Sequence, residues 1–490
     1  MRKSGILMHI TSLPGPYGIG SMGKCAYDFV DFLSKAGQAF WQILPLSPTG
    51  YGNSPYQSFS TFAGNHYLID LDMLIEEGLL KPEEAAAVSW SKDEGRVDYG
   101  CLYDNRVAVL RLAYARFSPD EAFYRYIRDN ADWLEDYALF MSLKEKLHGK
   151  DWHCWSISLM RRIPEIIAGY RKELSDSIEF HYFLQYKFYQ QWQALRSYAN
   201  QKGIRIIGDL PIYVPLDSAD IWANPQLFQL DGNCLPKLVA GCPPDYFTAD
   251  GQLWGNPLYD WDKLKETNYA WWIRRLELAS QMYDVVRLDH FRGFESYWAV
   301  PAGDKTAVRG SWKPGPGMDL IRAIQASPLE LDFIAEDLGY LTPEVHRLQE
   351  QSGYPGMKVM QFAFDSRESA DYLPHTYSEN SVCYTGTHDN PTMVQWFREA
   401  APEDIALAKA YLGLNKEEGM VWGMIRGCMA SVSKLCIIQM QDYLELDSSA
   451  RMNLPGTLSP NNWTWRAPEG FITEDLTQQI FNITQRYGRL

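Results

Sequence analysis

Short apolar runs bounded by turn residues recur along the chain at 6–10, 40–44, 204–208, 285–289, 333–336, 357–362, 382–385 and 435–440. They are too short for helices and are rich in Val, Ile and Phe, residues that suit a buried pleated surface. Segments of helical periodicity separate most of them. Eight strands alternating with helices predict an α/β fold of the (β/α)8 TIM-barrel type rather than a doubly wound sheet.

The spacing is uneven. About 150 residues lie between the second and third runs, far more than a βα connection needs, so 47–200 is predicted to form an insertion subdomain. Its apolar positions have helical spacing over 107–117, 131–147 and 178–198, with Trp133, Tyr137, Phe140 and Leu143 three or four apart, which makes it mainly helical. The insertion after the third run, 211–283, is dense in Pro and Gly and reads as loop-rich, closing with a helix near 269–283. A Pro/Gly/Trp loop at 454–466 precedes a helical pattern at 474–486. The whole of 1–490 is then one catalytic barrel with two insertions.

The candidate chemistry sits at the ends of the predicted strands. Val285-Val286-Arg287-Leu288-Asp289-His290, Phe333-Ile334-Ala335-Glu336-Asp337 and the 382–390 segment ending Thr387-His388-Asp389-Asn390 each place a carboxylate where a strand stops. Strand C-termini of a parallel barrel open on one face, so these acids converge on one substrate, and two converging carboxylates suffice for glycoside chemistry. A lone strand-end Asp is more often a helix cap. Arg287 shifts that balance: two residues before Asp289, it shares a strand face with it, and its guanidinium is predicted to hold the carboxyl below its ordinary range. Glu336 and Asp337 face opposite ways by the same alternation, so only one of them points to the barrel axis. His388 and Asp389 alone would make an ordinary local hydrogen-bonded pair. Beside two other acids they can grip the hydroxyls of a sugar ring.

Aromatic content sharpens the picture, because 17 Trp, 30 Tyr and 21 Phe include many in Gly/Pro/Asn-rich segments, and such rings suit the faces of sugars. Tyr56, in Gly52-Asn53-Ser54-Pro55-Tyr56, and Trp254, in Gly251-Gln252-Leu253-Trp254-Gly255-Asn256-Pro257, are the two candidates. Each has a plain alternative, a loop tyrosine and a buried loop anchor respectively. A net charge of −15 argues against nucleic acid. No run approaches the roughly 20 apolar residues that cross a membrane. The eight cysteines show no Cys-x-x-Cys pair and the N-terminus no signal-type apolar stretch, so a cytoplasmic protein with reduced thiols is expected. His9, His66 and His290 lack metal-site spacing, and no cofactor or metal is predicted.

Taken together with Leu13-Pro14-Gly15-Pro16-Tyr17-Gly18-Ile19-Gly20, Gly208-Asp209-Leu210-Pro211-Ile212-Tyr213-Val214, Pro243-Pro244-Asp245-Tyr246-Phe247 and Arg287-Leu288-Asp289-His290-Phe291-Arg292-Gly293, these motifs closely resemble the amylomaltases, the disproportionating 4-α-glucanotransferases related to the α-amylases. The resemblance runs essentially end to end. It implies Asp289 as nucleophile, Glu336 as acid/base in preference to Asp337, and Asp389 as transition-state stabiliser, with Arg287 and His388 as their partners. It further implies Tyr56 as the residue that stacks on the donor sugar, Asp209 as the substrate-binding acid at the end of the third strand, Trp254 as the aromatic of the acceptor-side loop, and Ser54, Gln252 and Phe362 along the glucan path. Maltooligosaccharides and amylose would be donors and glucose an acceptor. Two positions depart from the family pattern: Pro391 stands where another acid is common, and Cys242 where an aliphatic residue is common. The chain resembles the short bacterial form, without a starch-binding module. A hydrolase of the α-amylase type and a catalytically silent glucan-binding protein are the rival readings.

Overall fold

The computed structural model describes residues 1–50, 52–244, 249–339, 341–365 and 372–490. Among the described residues twelve strands occur in chain order: β1 (Lys3–Leu7), β2 (Phe40–Gln42), β3 (Arg205–Leu210), β4 (Leu238–Cys242), β5 (Gln252–Pro257), β6 (Val285–Leu288), β7 (Ser296–Pro301), β8 (Ser311–Pro314), β9 (Asp332–Ala335), β10 (Gly356–Val359), β11 (Ser381–Tyr384) and β12 (Leu435–Gln439). Eight of them close a parallel barrel in the order β1-β12-β11-β10-β9-β6-β3-β2. Its strands carry Ile206, Ile207, Val285, Val286, Ile334, Val382, Ile437 and Ile438, all buried. A barrel packed inside by side chains and outside by helices needs such residues on both strand faces.

All eight predicted runs are barrel strands, with two shifts. The first strand starts at Lys3 and ends at Leu7, and Ile10–Ser12 is a 3-10 turn instead. The apolar pattern hid Ser4 and Gly5, yet small residues are needed there: a Cβ on Gly5 would lie 2.5 Å from the Phe40 carbonyl oxygen of β2. The run at 357–362 stops being a strand at Val359, and Phe362 falls in a 3-10 helix, Met360–Phe364.

The segment read as loop-rich holds β4 and β5, which join β7 and β8 in an antiparallel sheet of order β5-β4-β7-β8. Two of its glycines, Gly241 on β4 and Gly255 on β5, belong to a bulged sheet. Pairing between β4 and β5 shifts between Val239 and Gly241, and a Cβ on Gly241 would meet the Gln252 carbonyl at 2.5 Å. Glycine inside a strand marks this kind of bulge or close approach, which is why it imitated a loop.

Helices fill the stretch between β2 and β3, the longest being Ser175–Gln201 packed on Ala131–Lys146. Two buried glutamines of the long helix anchor the segment that leads out of the barrel after β2. Gln185 bonds both the N–H (2.7 Å) and the carbonyl (2.9 Å) of Gly64, and Gln191 does the same to Asp70 at 2.7 and 3.1 Å. The barrel seam is β1 against β12, in register from Lys3 with Leu435 to Leu7 with Gln439. Buried Arg489 ties it, donating to the carbonyls of Lys3 (2.9 Å) and Ser433 (3.0 Å).

Candidate active site

Register between β3 and β6 sets Asp209 directly beside Arg287. Alternation along β6 turns Asp289 to the same side. The Arg287 Nη1 therefore donates to both oxygens of Asp209 (2.8 Å each) and to Asp289 Oδ1 (3.0 Å). Arg287 and Asp209 are almost fully enclosed, while the Asp289 side chain keeps 26% of its surface and faces the barrel mouth. Tyr56 donates its hydroxyl to Asp209 Oδ2 at 2.7 Å, so the loop after β2 is stitched to β3.

The predicted depression of Asp289 does not occur. Loss of surrounding water pushes its carboxyl up to about 6; Arg287 opposes this, but the negative charge of Asp209 beside the same guanidinium offsets part of that help.

Glu336 follows β9 and reaches back toward β6. Its Oε2 accepts the backbone N–H of His290 (2.7 Å) and its Oε1 that of Leu338 (3.2 Å). His290 has φ 49° and ψ 49°, a left-handed conformation that turns its N–H toward Glu336. Burial pushes the Glu336 carboxyl up to about 8; Arg287 opposes this and the charge of Asp289 adds to it. Asp337 points the other way, to the backbone N–H of Met357 at 2.6 Å. It is a buried brace between β9 and β10, and the choice left open by alternation falls on Glu336.

Asp389 lies beyond β11 in a short turn closed by Asn390, whose Oδ1 accepts the N–H of Thr387 at 2.8 Å. His388 Nε2 stands 3.3 Å from Asp389 Oδ2, and Asn453 Nδ2 donates to Asp389 Oδ1 at 2.6 Å. Enclosure works against the charge, yet His388 and Asn453 outweigh it and hold this carboxyl at about 2. Below the turn, buried Asp442 accepts from Thr385 Oγ1 (2.6 Å) and Met393 N (2.7 Å), pinning both ends of the segment. Pro391 lends its carbonyl to Gln361 (2.8 Å).

Rings line the cleft. Tyr56 stacks on His388 with centroids 5.2 Å apart and planes 19° apart, and Trp463 tilts against both at 5.8 Å. Ser54 Oγ caps the N–H of Tyr56 (3.2 Å) and fixes its loop. Trp254 stands half-buried on β5, not on a loop; its Nε1 donates to Gln252 Oε1 (3.2 Å) and its ring meets His290 edge to face at 4.7 Å. Phe362, past β10, lies edge-on to Tyr372 at 5.7 Å. Asp245, Tyr246 and Phe247 fall outside the described residues.

Sequence reasoning missed Asn453 and Trp463; Trp463 lies in the Pro/Gly/Trp loop at 454–466, whose composition was its only signal, and nothing local marks Asn453. Among the described residues no group of three or more His, Cys, Asp or Glu is placed to hold a metal ion, and no helix is long and apolar enough to cross a membrane. The site thus presents three carboxylates of distinct protonation behaviour: one kept ionised, one that ionises near pH 6, and one that keeps its proton to about pH 8. Carboxyls pushed apart in this way can divide acid and nucleophile roles between them.

The glycoside hydrolase 77 model, described as 4-alpha-glucanotransferase, matches residues 8–473. A 4-alpha-glucanotransferase of Clostridium butyricum is 48% identical over 98% of this chain and all of its own length. One from Streptococcus pneumoniae is 47% identical over the whole chain and 98% of its own. Among solved structures, the amylomaltase from Streptococcus agalactiae in complex with acarbose superposes with a TM-score of 0.97 at 43% identity, covering both chains fully.

Proposed function

The chain belongs to the 4-α-glucanotransferase family and is a 4-α-glucanotransferase acting on glucans, and on that premise we propose how its residues perform the transfer. Asp289 attacks the anomeric carbon of an α-1,4-glucan while Glu336 protonates the departing 4-oxygen, which leaves a β-linked glucosyl-enzyme on Asp289 and a shortened glucan free to leave. Glu336 then takes the proton from the 4-hydroxyl of glucose or another glucan, that oxygen attacks the anomeric carbon, and Asp289 departs as an α-1,4 bond forms. Asp389 and His388 hold hydroxyls of the reacting sugar as it flattens, and Tyr56 with Asp209 frames the same ring. The observation that carries this reading is the arrangement of the carboxyls at the strand ends: Asp289 Oδ1 accepts from Arg287 at 3.0 Å, the N–H of the next residue binds Glu336 Oε2 at 2.7 Å, and burial raises Glu336 while His388 and Asn453 lower Asp389. Purified maltotriose tests it. A ladder of longer oligomers with glucose supports transfer, and shorter products alone would contradict it.

A pH profile follows. Activity needs Asp289 ionised and Glu336 protonated, so kcat/KM is expected to fall below about pH 6 and above about pH 8. Because the two carboxyls interact, the limbs report the pair. A rate still rising at pH 9 would contradict a protonated Glu336.

Water competes with sugar for the intermediate at about 55 M, so transfer requires a bound acceptor of high effective molarity. We assign that binding to Trp254 on β5, with Gln252 holding its indole and Ser54 and Phe362 along the glucan path. Trp254→Ala is expected to lose transfer about tenfold more than hydrolysis, as one stacking contact is worth ~1 kcal/mol or more. Glucose and reducing ends measured on one maltooligosaccharide give the ratio; an equal fall in both would leave Trp254 as a structural anchor. Amylose and maltooligosaccharides are the proposed donors. Residues 47–200 form the proposed helical insertion subdomain, and 211–283 the proposed second insertion, carrying the acceptor-side segment, of one catalytic unit. A cytoplasmic placement is proposed from the cysteine spacing, which shows no Cys-x-x-Cys pair.

A further inference from the structure

The ring of His388 borders a second space besides the cleft. A cavity of about 10 Å³, the room that the centre of one water takes, is lined by His9, Leu44, Gln439, Gln441, Met452 and His388 among others. Barrel register explains why polar groups meet in it. Leu7 of β1 pairs with Gln439 of β12 and with Gln42 of β2, so the three side chains share a face. Gln42 accepts the Tyr384 hydroxyl of β11 at 3.0 Å, across the barrel, which makes that face the inner one. Gln439 is thus turned inward, and His9, two residues past Leu7 in extended backbone, points to the same side. Gly386 leaves room for the Gln439 amide, since an added Cβ would lie 2.7 Å from Gln439 Nε2.

The chemistry of this lining is one-sided. His9 Nδ1 accepts the N–H of Leu44 at 3.2 Å. Burial, with neighbouring His388 adding to it, drives the His9 imidazole down to about 3 and keeps it uncharged. A neutral imidazole that accepts at Nδ1 carries its proton on Nε2. Gln439 Nε2 is buried and has no hydrogen-bond partner. Two N–H donors therefore meet a space that calls for an acceptor, which suits a water and repels a cation. His388 Nε2 is committed to Asp389 Oδ2 at 3.3 Å, which leaves Nδ1 as its other polar ring atom.

Resting on the assignment of His388 and Asp389 to the reacting sugar, we propose that this cavity is a structural water site and that His9 is a positioning residue acting through it. The water accepts from His9 Nε2 and Gln439 Nε2 and donates to His388 Nδ1. That bond keeps the His388 proton on Nε2, where Asp389 and a sugar hydroxyl can use it, and the ring cannot turn over without losing the water. His9 touches no substrate, yet it sets the bearing of a group that does.

Crystals of the unliganded protein that resolve waters give the first check. One water is expected within about 3.2 Å of His9 Nε2, Gln439 Nε2 and His388 Nδ1, and a cavity without density there would overturn the proposal. Kinetics on maltotriose give the second. His9→Leu removes the donor at similar size and is expected to lower kcat about tenfold with KM within about twofold, as loss of a transition-state contact does. His9→Gln keeps an N–H at the reach of Nε2 and is expected to recover most of that loss. Gln439→Met withdraws the other donor without emptying the space and serves where His9→Leu does not fold; kcat is expected to fall about threefold, the worth of one ordinary hydrogen bond. Parental kcat in both His9→Leu and Gln439→Met would overturn the proposal, and so would His9→Gln as impaired as His9→Leu, which would leave His9 a packing residue. His388→Ala run alongside tells the two readings apart. Near-parental activity there would overturn the role of His388 and this inference with it, whereas an inactive His388→Ala beside parental His9→Leu and Gln439→Met would overturn only the role of His9.

Discussion

Asp289→Asn and Glu336→Gln are each expected to reduce transfer from maltotriose by several orders of magnitude while the thermal unfolding midpoint stays near that of the parent protein. Each removes a group that makes or breaks a bond in the proposed cycle. Stability should hold because both changes conserve volume. A glutamine oxygen can still accept the His290 N–H that Glu336 accepts, and a neutral amide loses less than a carboxylate does on leaving water. Glucose release measured beside a melting curve decides the matter. More than about a tenth of parental activity in either variant would overturn the assignment, since tenfold corresponds to only ~1.4 kcal/mol of barrier.

The second large effect concerns stability. Arg287→Met keeps much of the side-chain volume but withdraws the only cation described between Asp209 and Asp289. Breaking a buried ion pair from one side leaves charge without compensation, at a cost of about 3–5 kcal/mol. The loss is expected in urea unfolding at pH 8 and should shrink toward pH 5. Asp289 is already pushed up by burial, and without Arg287 its folded carboxyl ionises at still higher pH than in the unfolded chain, so the penalty is full above the folded value and is relieved as Asp289 protonates. A variant equally destabilised at both pH values would show that packing, not charge, is what Arg287 supplies.

The barrel was legible because its strands are buried on both faces and therefore written as unbroken apolar runs, and the three acids because Asp289 and Glu336 follow such runs directly and Asp389 lies in the turn just after one. What escaped depended on the third dimension. Arg287 could be placed beside Asp289 by alternation along one strand, but its second partner, Asp209, is brought in by register with β3 and is 78 residues away. Asn453 bonds Asp389 across 64 residues of chain, and nothing local to either announces it. The β4-β5-β7-β8 sheet escaped for a different reason: glycines demanded by close strand approach carry the same sequence signature as glycines in turns. Trp254 was consequently placed on a loop, whereas the ladder of β5 gives it a fixed bearing.

The seam of the barrel has a bearing on how the protein is made. β1 can find its neighbour β12 only after residues 435–439 have been synthesised, so the first strand waits unpaired on that side while nearly the whole chain emerges. At about 5–20 residues per second, roughly 8 to 30 s separate translation of Asp289 from that of β12. For that interval the nascent sheet has two open edges, each able to recruit a strand from another chain. Ribosome-bound chains arrested before and after residue 439 should therefore differ sharply in protease resistance, and binding by chaperones of exposed strands should be concentrated in the shorter ones.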